Sequence, residues 1–169
     1  MGHYPENGEY ETVIDASGLT VGPGLIDVHV HFRDPGLTHK ADMATETAAA
    51  AAGGGTSFMD MPNCNPQTTT LEALENKFKD AATKCIVNYS FYFGATNNNA
   101  DQLKALDKTH VCGVKLFMGA STGNMLVDKM NSLLNIFNGT DMLIAAHCED
   151  QETIKNNIAK YKEMFAGEN

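Results

Sequence analysis

Tryptophan is absent from this sequence, and basic residues are scarce: 12 lysines and arginines stand against 21 aspartates and glutamates, for a formal net charge of −9. A nucleic-acid-binding protein needs a clustered positive surface, so this charge balance argues against such a partner. No apolar run approaches the roughly 18 residues of a membrane span, and the polar N-terminus lacks the basic and apolar segments of a secretory signal. We therefore expect a cytoplasmic protein that binds neither nucleic acid nor a membrane.

Cysteine is also sparse, and the four cysteines are widely spaced without a CxxC pair. That spacing argues against a structural zinc site of the cysteine type. Disulfides are not expected in a protein without signs of secretion, so reduced, buried thiols are the simpler expectation. The apolar fraction of 43% is nevertheless enough for a hydrophobic core in 169 residues, a length for which one domain is the first expectation.

What the sequence does contain is a repeated alternation of strand and helix patterns. Five runs are apolar nearly throughout, which is typical of parallel strands covered on both faces; they span 25–32, 56–61, 86–94, 111–118 and 142–147. A helical pattern follows each run. The first is Ala-rich, spans 40–52 and ends at Gly53, and the others begin at the expected N-caps Thr69, Asn99 and Asp128 and at about Gln151. The pattern predicts five βα units.

Five βα units predict a parallel sheet, either open and doubly wound or closed as a barrel. The sequence has no GxGxxG after the first strand and no GxxxxGK[ST], which weakens the nucleotide-binding forms of the open sheet. A closed barrel needs eight units and about 250 residues, so we expect part of a TIM-type (β/α)8 barrel. On this interpretation, 21–169 is the N-terminal portion of the barrel. Residues 1–20 are then the remnant of an N-terminal segment without an assigned fold, with one strand pattern at 10–14.

His29 and His31 form the sharpest local motif, because alternate residues of a strand project from the same face. They end the first strand, at the rim where barrel active sites lie. Two imidazoles at this spacing can hold one divalent metal. Asp27, one step deeper on the same face, can orient a histidine as a hydrogen-bond acceptor. Taken alone, the pair also fits a solvated strand end.

Lys115 and His147 belong to later strands. Lys115 lies inside the apolar run 111–118, where a lone ammonium either shifts its pKa downward or finds a partner. Its amine is then either modified or bridges charges in a site, unless the side chain simply extends to the strand end. His147 closes the fifth strand pattern and gains interest from sharing a rim with His29 and His31.

Arg33 and Asn63 follow the ends of the first and second strands. Arginine suits bidentate binding of a carboxylate, and asparagine offers both a donor and an acceptor. Both residues fall on adjacent βα loops of one rim. Residues 121–124, after the fourth strand, predict a polar loop over the same site.

Together these motifs resemble the dihydroorotase family, within the cyclic amidohydrolase superfamily. The resemblance spans about residues 20–150 and rests on 22–36 (GPGLIDVHVHFRDPG), the Ala-rich helix ending in Gly-Gly, 60–63 (DMPN), 113–119 (GVKLFMG) and 147–150 (HCED). It implies that His29 and His31 bind the more buried of two Zn²⁺ ions. Lys115, carbamylated by carbon dioxide, would bridge both ions, and His147 would bind the second. Cys64 departs from the threonine that is more usual after Met-Pro-Asn.

The resemblance also implies a reaction. Arg33 and Asn63 would hold the free carboxylate of a small substrate, and the protein would interconvert N-carbamoyl-L-aspartate and L-dihydroorotate in pyrimidine biosynthesis. The family supplies a further zinc-binding histidine and a catalytic aspartate from the sixth and eighth strands, so the general-base aspartate is expected beyond residue 169. A homodimer is a further expectation for the full-length protein.

Two other functions remain open. Hydantoinases and dihydropyrimidinases share the HxH motif and the lysine, and allantoinases tend to have asparagine where Arg33 stands. A different class of function is a non-catalytic homologue that uses the barrel as a scaffold. Such a protein is expected to lose metal ligands, whereas every ligand that this region should supply is present.

Overall fold

The computed structural model describes residues 8, 12–119 and 123–167. Its strands are β1 (Leu25–Val30), β2 (Gly55–Asp60), β3 (Asn88–Gly94), β4 (Gly113–Phe117) and β5 (Ile144–His147). Its helices are α1 (Met43–Ala52), α2 (Leu71–Lys84), α3 (Met130–Gly139) and α4 (Gln151–Met164), and a 3₁₀ helix (Ala100–Ala105) lies between β3 and β4. The five predicted strands and the helical segment after each are all present, the third of these segments as a 3₁₀ helix.

The order of the strands decides between the two sheet architectures. All four neighbouring pairs are parallel, and the sheet runs β1-β2-β3-β4-β5 in the order of the chain. A doubly wound sheet reverses its strand order at a switch point, and the five described strands contain no such reversal. The order is that of consecutive units in a barrel.

The ends of α1 and α2 follow local capping rules. The Asp42 side chain accepts a hydrogen bond from the Thr45 backbone N–H at 2.8 Å, and α1 ends at Gly53 as the sequence predicts. The cap of α2 is Thr70, whose hydroxyl accepts from the Ala73 N–H at 3.1 Å, so the prediction of Thr69 is wrong by one residue. Thr69 instead takes part in a contact between two loops, because its carbonyl accepts a hydrogen bond from the side chain of Asn99 in the loop after β3.

Two other predicted caps bond elsewhere. The Asp128 carboxylate accepts from the Asn97 side chain at 2.9 Å, and α3 begins one residue later, after Lys129. Asn99 does precede the 3₁₀ helix, but its side chain accepts from the Thr96 N–H at 2.7 Å. Asp128 thus contacts another βα loop and Asn99 accepts within its own loop, and neither side chain forms the local cap that the sequence suggests.

The core lies where the strands meet the helices. Its buried members include Phe58, Phe91 and Val114 from the strands, with Leu74 and Ile136 from the helices. The core supports the apolar, two-faced strand pattern of the sequence. All four cysteines are free, but the expectation that they are buried holds only for Cys64. Cys85 and Cys112 are partly exposed, and Cys148 is exposed.

Two sequence predictions fall partly outside the described residues. Within the proposed strand 10–14, only residues 12–14 are described, and they have no strand structure. Of the predicted loop 121–124, residues 121 and 122 lie outside the described part of the chain. Among the helices that are described, none is long and apolar enough to cross a membrane.

Strand β1 exposes apolar side chains, with Leu25, Ile26 and Val28 each more than half accessible. We expect the 169-residue chain by itself to bind the dye ANS, to associate in solution and to lack turnover, because an uncovered apolar strand favours association. Dye fluorescence and light scattering of residues 1–169 check this expectation. A monomeric chain that binds no dye would contradict it.

Candidate metal and substrate site

The two histidines at the end of β1 lie side by side. Their ring centroids are 5.2 Å apart and the rings are inclined at 56°. A register shift between Asp27 and Val30 interrupts the strand, as bulges often do beside active sites. Asp27 accepts a hydrogen bond from the backbone N–H of His29 at 3.1 Å. Regular alternation predicts instead that this carboxylate orients a histidine ring.

His31 is joined to the next strand's loop through Asn63. The Nδ1 atom of His31 lies 2.8 Å from Oδ1 of Asn63. An amide oxygen can only accept, so Nδ1 carries the hydrogen and Nε2 keeps the lone pair that a metal requires. Burial lowers the pKa of His31, and the nearby Arg33 lowers it further, while the hydrogen bond to Asn63 opposes both. The neutral, metal-binding form of His31 is therefore favoured.

Arg33 lies at the same point of the rim. Its Nη1 donates to the backbone carbonyl of Asn63 at 3.1 Å. Its φ of 64° is in the left-handed region, which a non-glycine residue rarely adopts and which is concentrated at functional sites. The structure thus brings together Arg33, Asn63 and His31, three residues that the sequence analysis selected separately.

The loops after β1 and β2 are in direct contact just beyond this cluster. The Asn65 N–H donates to the Pro35 carbonyl at 2.9 Å. Gly36 has a φ of 83°, and a Cβ at this position would lie 1.8 Å from the Asn65 carbonyl oxygen. Only glycine fits here, because both the backbone angle and the contact exclude a side chain.

Gly36→Ala is expected to lower the free energy of unfolding by about 1–3 kcal/mol, since strain in φ and a backbone collision add. Gly54→Ala is the matched control, because Gly54 has a φ of 85° but a Cβ added there would meet nothing within 4 Å. Urea denaturation of both variants measures the difference. Equal losses of unfolding free energy in the two variants would show that the contact between Gly36 and Asn65 contributes nothing beyond the strain in φ.

Lys115 and His147 lie on the neighbouring strands β4 and β5. Lys115 is only 4% exposed, and its Nζ lies 4.9 Å from the centroid of the Phe117 ring. Burial lowers the pKa of Lys115, opposed by the neighbouring Cys148. His147 is adjacent to Phe117 in the ladder, and its Nε2 lies 3.3 Å from Oε1 of Glu149.

The four predicted metal ligands therefore belong to two parts of the sheet, His29 and His31 to the end of β1, and Lys115 and His147 to β4 and β5. Within the described residues, no three His, Cys, Asp or Glu side chains come together as a metal site. The donor types still fit zinc, which binds imidazole nitrogen and carboxylate-like oxygen. The fourth predicted ligand is a lysine whose burial favours the neutral amine that carbamylation needs.

A buried ion pair beneath the rim was not predicted from the sequence. Lys77 Nζ lies 2.6 Å from Asp60 Oδ2, and both side chains are 1% exposed. Two signals were available: Asp60 lies inside the predicted strand run 56–61, and Lys77 shares the buried face of α2 with Leu74 and Ala81. A charged residue at a core position indicates a partner, but it does not say which.

Comparisons with known proteins identify the family and the fold of this chain. A family model described as dihydro-orotase-like matches residues 18–167. The dihydroorotase of Methanosphaera stadtmanae is 34% identical over 158 residues, which cover 94% of this chain and 35% of that protein. An allantoinase of Desulfitobacterium hafniense is 36% identical over 179 residues, covering 94% of this chain and 38% of the relative.

A solved structure, the L-hydantoinase (dihydropyrimidinase) from Arthrobacter aurescens, superposes with a TM-score of 0.85 at 30% identity. The match covers 95% of this chain and 36% of that one. The predicted fold, part of a (β/α)8 barrel with five βα units, is confirmed. The chain spans just over a third of the length of the curated relatives named above.

Proposed function

Because this chain belongs to the dihydro-orotase-like family, we propose that the protein is a zinc-dependent cyclic amide hydrolase whose substrate is L-dihydroorotate. Hydrolysis breaks the ring C–N bond, adds the oxygen of water to the carbonyl carbon and returns a hydrogen to nitrogen, which yields N-carbamoyl-L-aspartate. The reverse reaction closes the ring in pyrimidine biosynthesis. The observation that carries this choice of substrate is Arg33 beside Asn63 and His31.

His29, His31, His147 and a carbamylated Lys115 are the residues that would hold two Zn²⁺ ions. When bound, the ions would supply a nucleophile at neutral pH and polarise the ring carbonyl. The lowered pKa values of His31 and Lys115 support this assignment, since both groups must lose a proton to act as ligands.

Arg33 and Asn63 would bind the carboxylate of the substrate. Asn63 already accepts from His31 through Oδ1, so the hydrogens of its Nδ2 are free of that contact and can point to a ligand. Arg33 uses one N–H on the Asn63 carbonyl and has four more in its planar fork. Holding the carboxylate at two points orients the ring amide, which is where proximity contributes to the rate. Proton transfer would be carried out by the general-base aspartate that the family resemblance implies.

A second candidate is an allantoinase or a hydantoinase. It is favoured by the 36% identity to an allantoinase and by the superposition on the L-hydantoinase. A non-catalytic scaffold is the further alternative. Under either of the enzymatic proposals, the partner is a small molecule and not a nucleic acid or membrane. A cytoplasmic location and a homodimer of the full-length protein remain part of the proposal.

Parallel assays of dihydroorotate, hydantoin and allantoin hydrolysis, made with the complete protein that contains this chain, test the proposal. We expect two zinc ions per protomer by elemental analysis and turnover of dihydroorotate above that of the other two substrates. Preferred turnover of hydantoin or allantoin would transfer the assignment to the second candidate. A protein without bound zinc or turnover would favour the scaffold.

A further inference from the structure

The carboxylate of Asp60 is shared between two strands and a helix. Asp60 is the last residue of β2, and its Oδ1 accepts a hydrogen bond from the backbone N–H of Phe32 at 2.9 Å. Its other oxygen accepts from Lys77 Nζ at 2.6 Å. Phe32 lies just beyond β1, between His31 and Arg33. One buried carboxylate therefore fixes the backbone that carries both of these site residues.

The ammonium group of Lys77 is bound at three points. Besides Asp60, it donates to the backbone carbonyl of Met61 at 3.3 Å and to Cys64 Sγ at 3.7 Å. An ammonium has three hydrogens, so this set of contacts accounts for all of them. Met61 and Cys64 bracket the turn that presents Asn63, and Cys64 also donates to the Pro66 carbonyl.

The hydrogen bonds of Asp60 and Lys77 reach residues that are next to site residues in the chain. The Phe32 amide adjoins His31, and the Met61 and Cys64 contacts hold the turn of Asn63. His31 and Asn63 are themselves in contact, at 2.8 Å. The ion pair therefore links the two segments whose separation determines that contact.

Stability alone is a poor explanation for burying this pair. A buried ion pair is often no more stabilising than apolar side chains of the same volume. Helix α2 also has a second attachment to the rim, since Lys84 Nζ lies 3.0 Å from Asp34 Oδ2. What apolar side chains could not supply is the set of directed hydrogen bonds to Phe32 and Met61.

We propose that the buried Asp60–Lys77 ion pair is a positioning device that sets His31 and Asn63 at their working separation. Asp60 acts on His31 through the Phe32 amide, and Lys77 acts on Asn63 through Met61 and Cys64. The functional part of this inference rests on the proposed zinc and substrate roles of His31 and Asn63. The geometric part can be tested without either role.

The main test is the double variant Asp60→Leu with Lys77→Met, made in the complete protein. It removes both charges together, so neither is left buried without a partner. We expect the Phe32 amide to exchange hydrogen at least about tenfold faster, because it loses its acceptor. Zinc affinity is expected to fall about 10–100-fold, as it does when groups that orient metal ligands are removed. Lys79→Met, on an exposed face of the same helix, is the matched control and should change neither.

The single variant Lys77→Met tests the contacts of Lys77 to Met61 and Cys64 separately from the contact of Asp60 to Phe32. It keeps the Asp60 acceptor for Phe32 and removes the contacts of Lys77 to the Asn63 turn, together with its ion pair to Asp60. We expect KM for dihydroorotate to rise about tenfold or more, as for a lost charged hydrogen bond, with zinc affinity within about threefold of the unaltered protein, below the smallest loss expected for an orienting group. A purely structural role would lower the unfolding midpoint without this division between KM and metal affinity.

Each outcome is decisive. A double variant with an unchanged Phe32 exchange rate, zinc affinity and kcat/KM would overturn the positioning role. If the double variant does not fold, the KM and zinc measurements on Lys77→Met decide, and parallel losses in both would overturn the role. If the unaltered protein binds no zinc and hydrolyses no cyclic amide, the proposed function fails. Faster Phe32 exchange would still support the geometric device.

Discussion

Lys115→Met is expected to remove turnover while making the zinc-free protein more stable. Methionine cannot be carbamylated, so the bridging ligand of the proposed metal pair is lost. The metal contribution to the barrier is several kcal/mol, and each 1.36 kcal/mol is tenfold in rate, so kcat/KM should fall at least about 10³-fold. Elemental analysis should show less than the full zinc content.

The gain in stability has a separate physical cause. Lys115 is 4% exposed and packs against the Phe117 ring, so its ammonium loses hydration on folding. An unbranched apolar side chain fills the same space. The free energy of unfolding without zinc should rise by about 1–2 kcal/mol at neutral pH. Lys104→Met, at an exposed position, is the control and should leave stability unchanged.

The pH dependence of this difference follows from the sign of the shift. Burial lowers the pKa of Lys115 in the folded state, so the unfolded chain binds more protons between the folded pKa and the ordinary value of 10.5. Stability of the unaltered protein therefore rises with pH across that interval. The stability advantage of Lys115→Met over the unaltered protein should shrink over the same interval.

A Lys115→Met variant that keeps both zinc and turnover would refute the carbamate assignment.

Arg33→Asn is expected to weaken dihydroorotate turnover and to leave stability nearly unchanged. Arg33 has a φ of 64°, and asparagine tolerates this conformation better than most residues. The backbone is therefore not disturbed, while the guanidinium is lost. Two charge-assisted hydrogen bonds, each about 1.5–3 kcal/mol, correspond to a loss of about 10²–10⁴ in kcat/KM, mainly through KM.

Substrates without a carboxylate give the internal control for Arg33→Asn. Hydantoin hydrolysis, if measurable in the unaltered protein, should change less than about threefold, because no charged contact is lost. Lys40→Asn, on the exposed end of the same loop, should alter neither substrate. An equal loss for dihydroorotate and hydantoin would show that Arg33 supports the loop and does not bind the carboxylate.

The positions of the side chains at the end of β1 could be predicted from the sequence only in part. The two-residue period of a strand predicts that His29 and His31 project from the same face. Their ring centroids lie 5.2 Å apart in the structure, although the pairing of β1 with β2 shifts register beside them. Asp27 shows the limit of the same rule, because its carboxylate binds the His29 backbone beside that shift. A bulge depends on the neighbouring strand, so periodicity alone does not reveal it.

The caps show a similar division. Gly53 ends α1 through contacts within a few residues, and this end was predicted from the sequence. Asp42, the cap at the start, lies inside the predicted helix 40–52, so the predicted start is too early. Asn99 and Asp128 have the residue types of caps but do not cap their helices. The Asn99 side chain accepts within its own loop and donates to Thr69 in the preceding one. The Asp128 side chain accepts from Asn97 in another loop. Side chains of this type serve either purpose, and only the packing of the loops selects one.

The alternation of apolar runs and helical patterns by itself determined the five βα units of this protein. It also placed His29, Lys115 and His147 on their strands, and His31 directly after β1. Periodicity is a local property, so it can place a residue on a strand but cannot choose the strand's neighbour. The tertiary structure alone decided the sequential strand order. It also decided the contact of His31 with Asn63 and the pairing of Asp60 with Lys77. The physical reason is that a buried charge finds its partner only when helix α2 packs on the sheet.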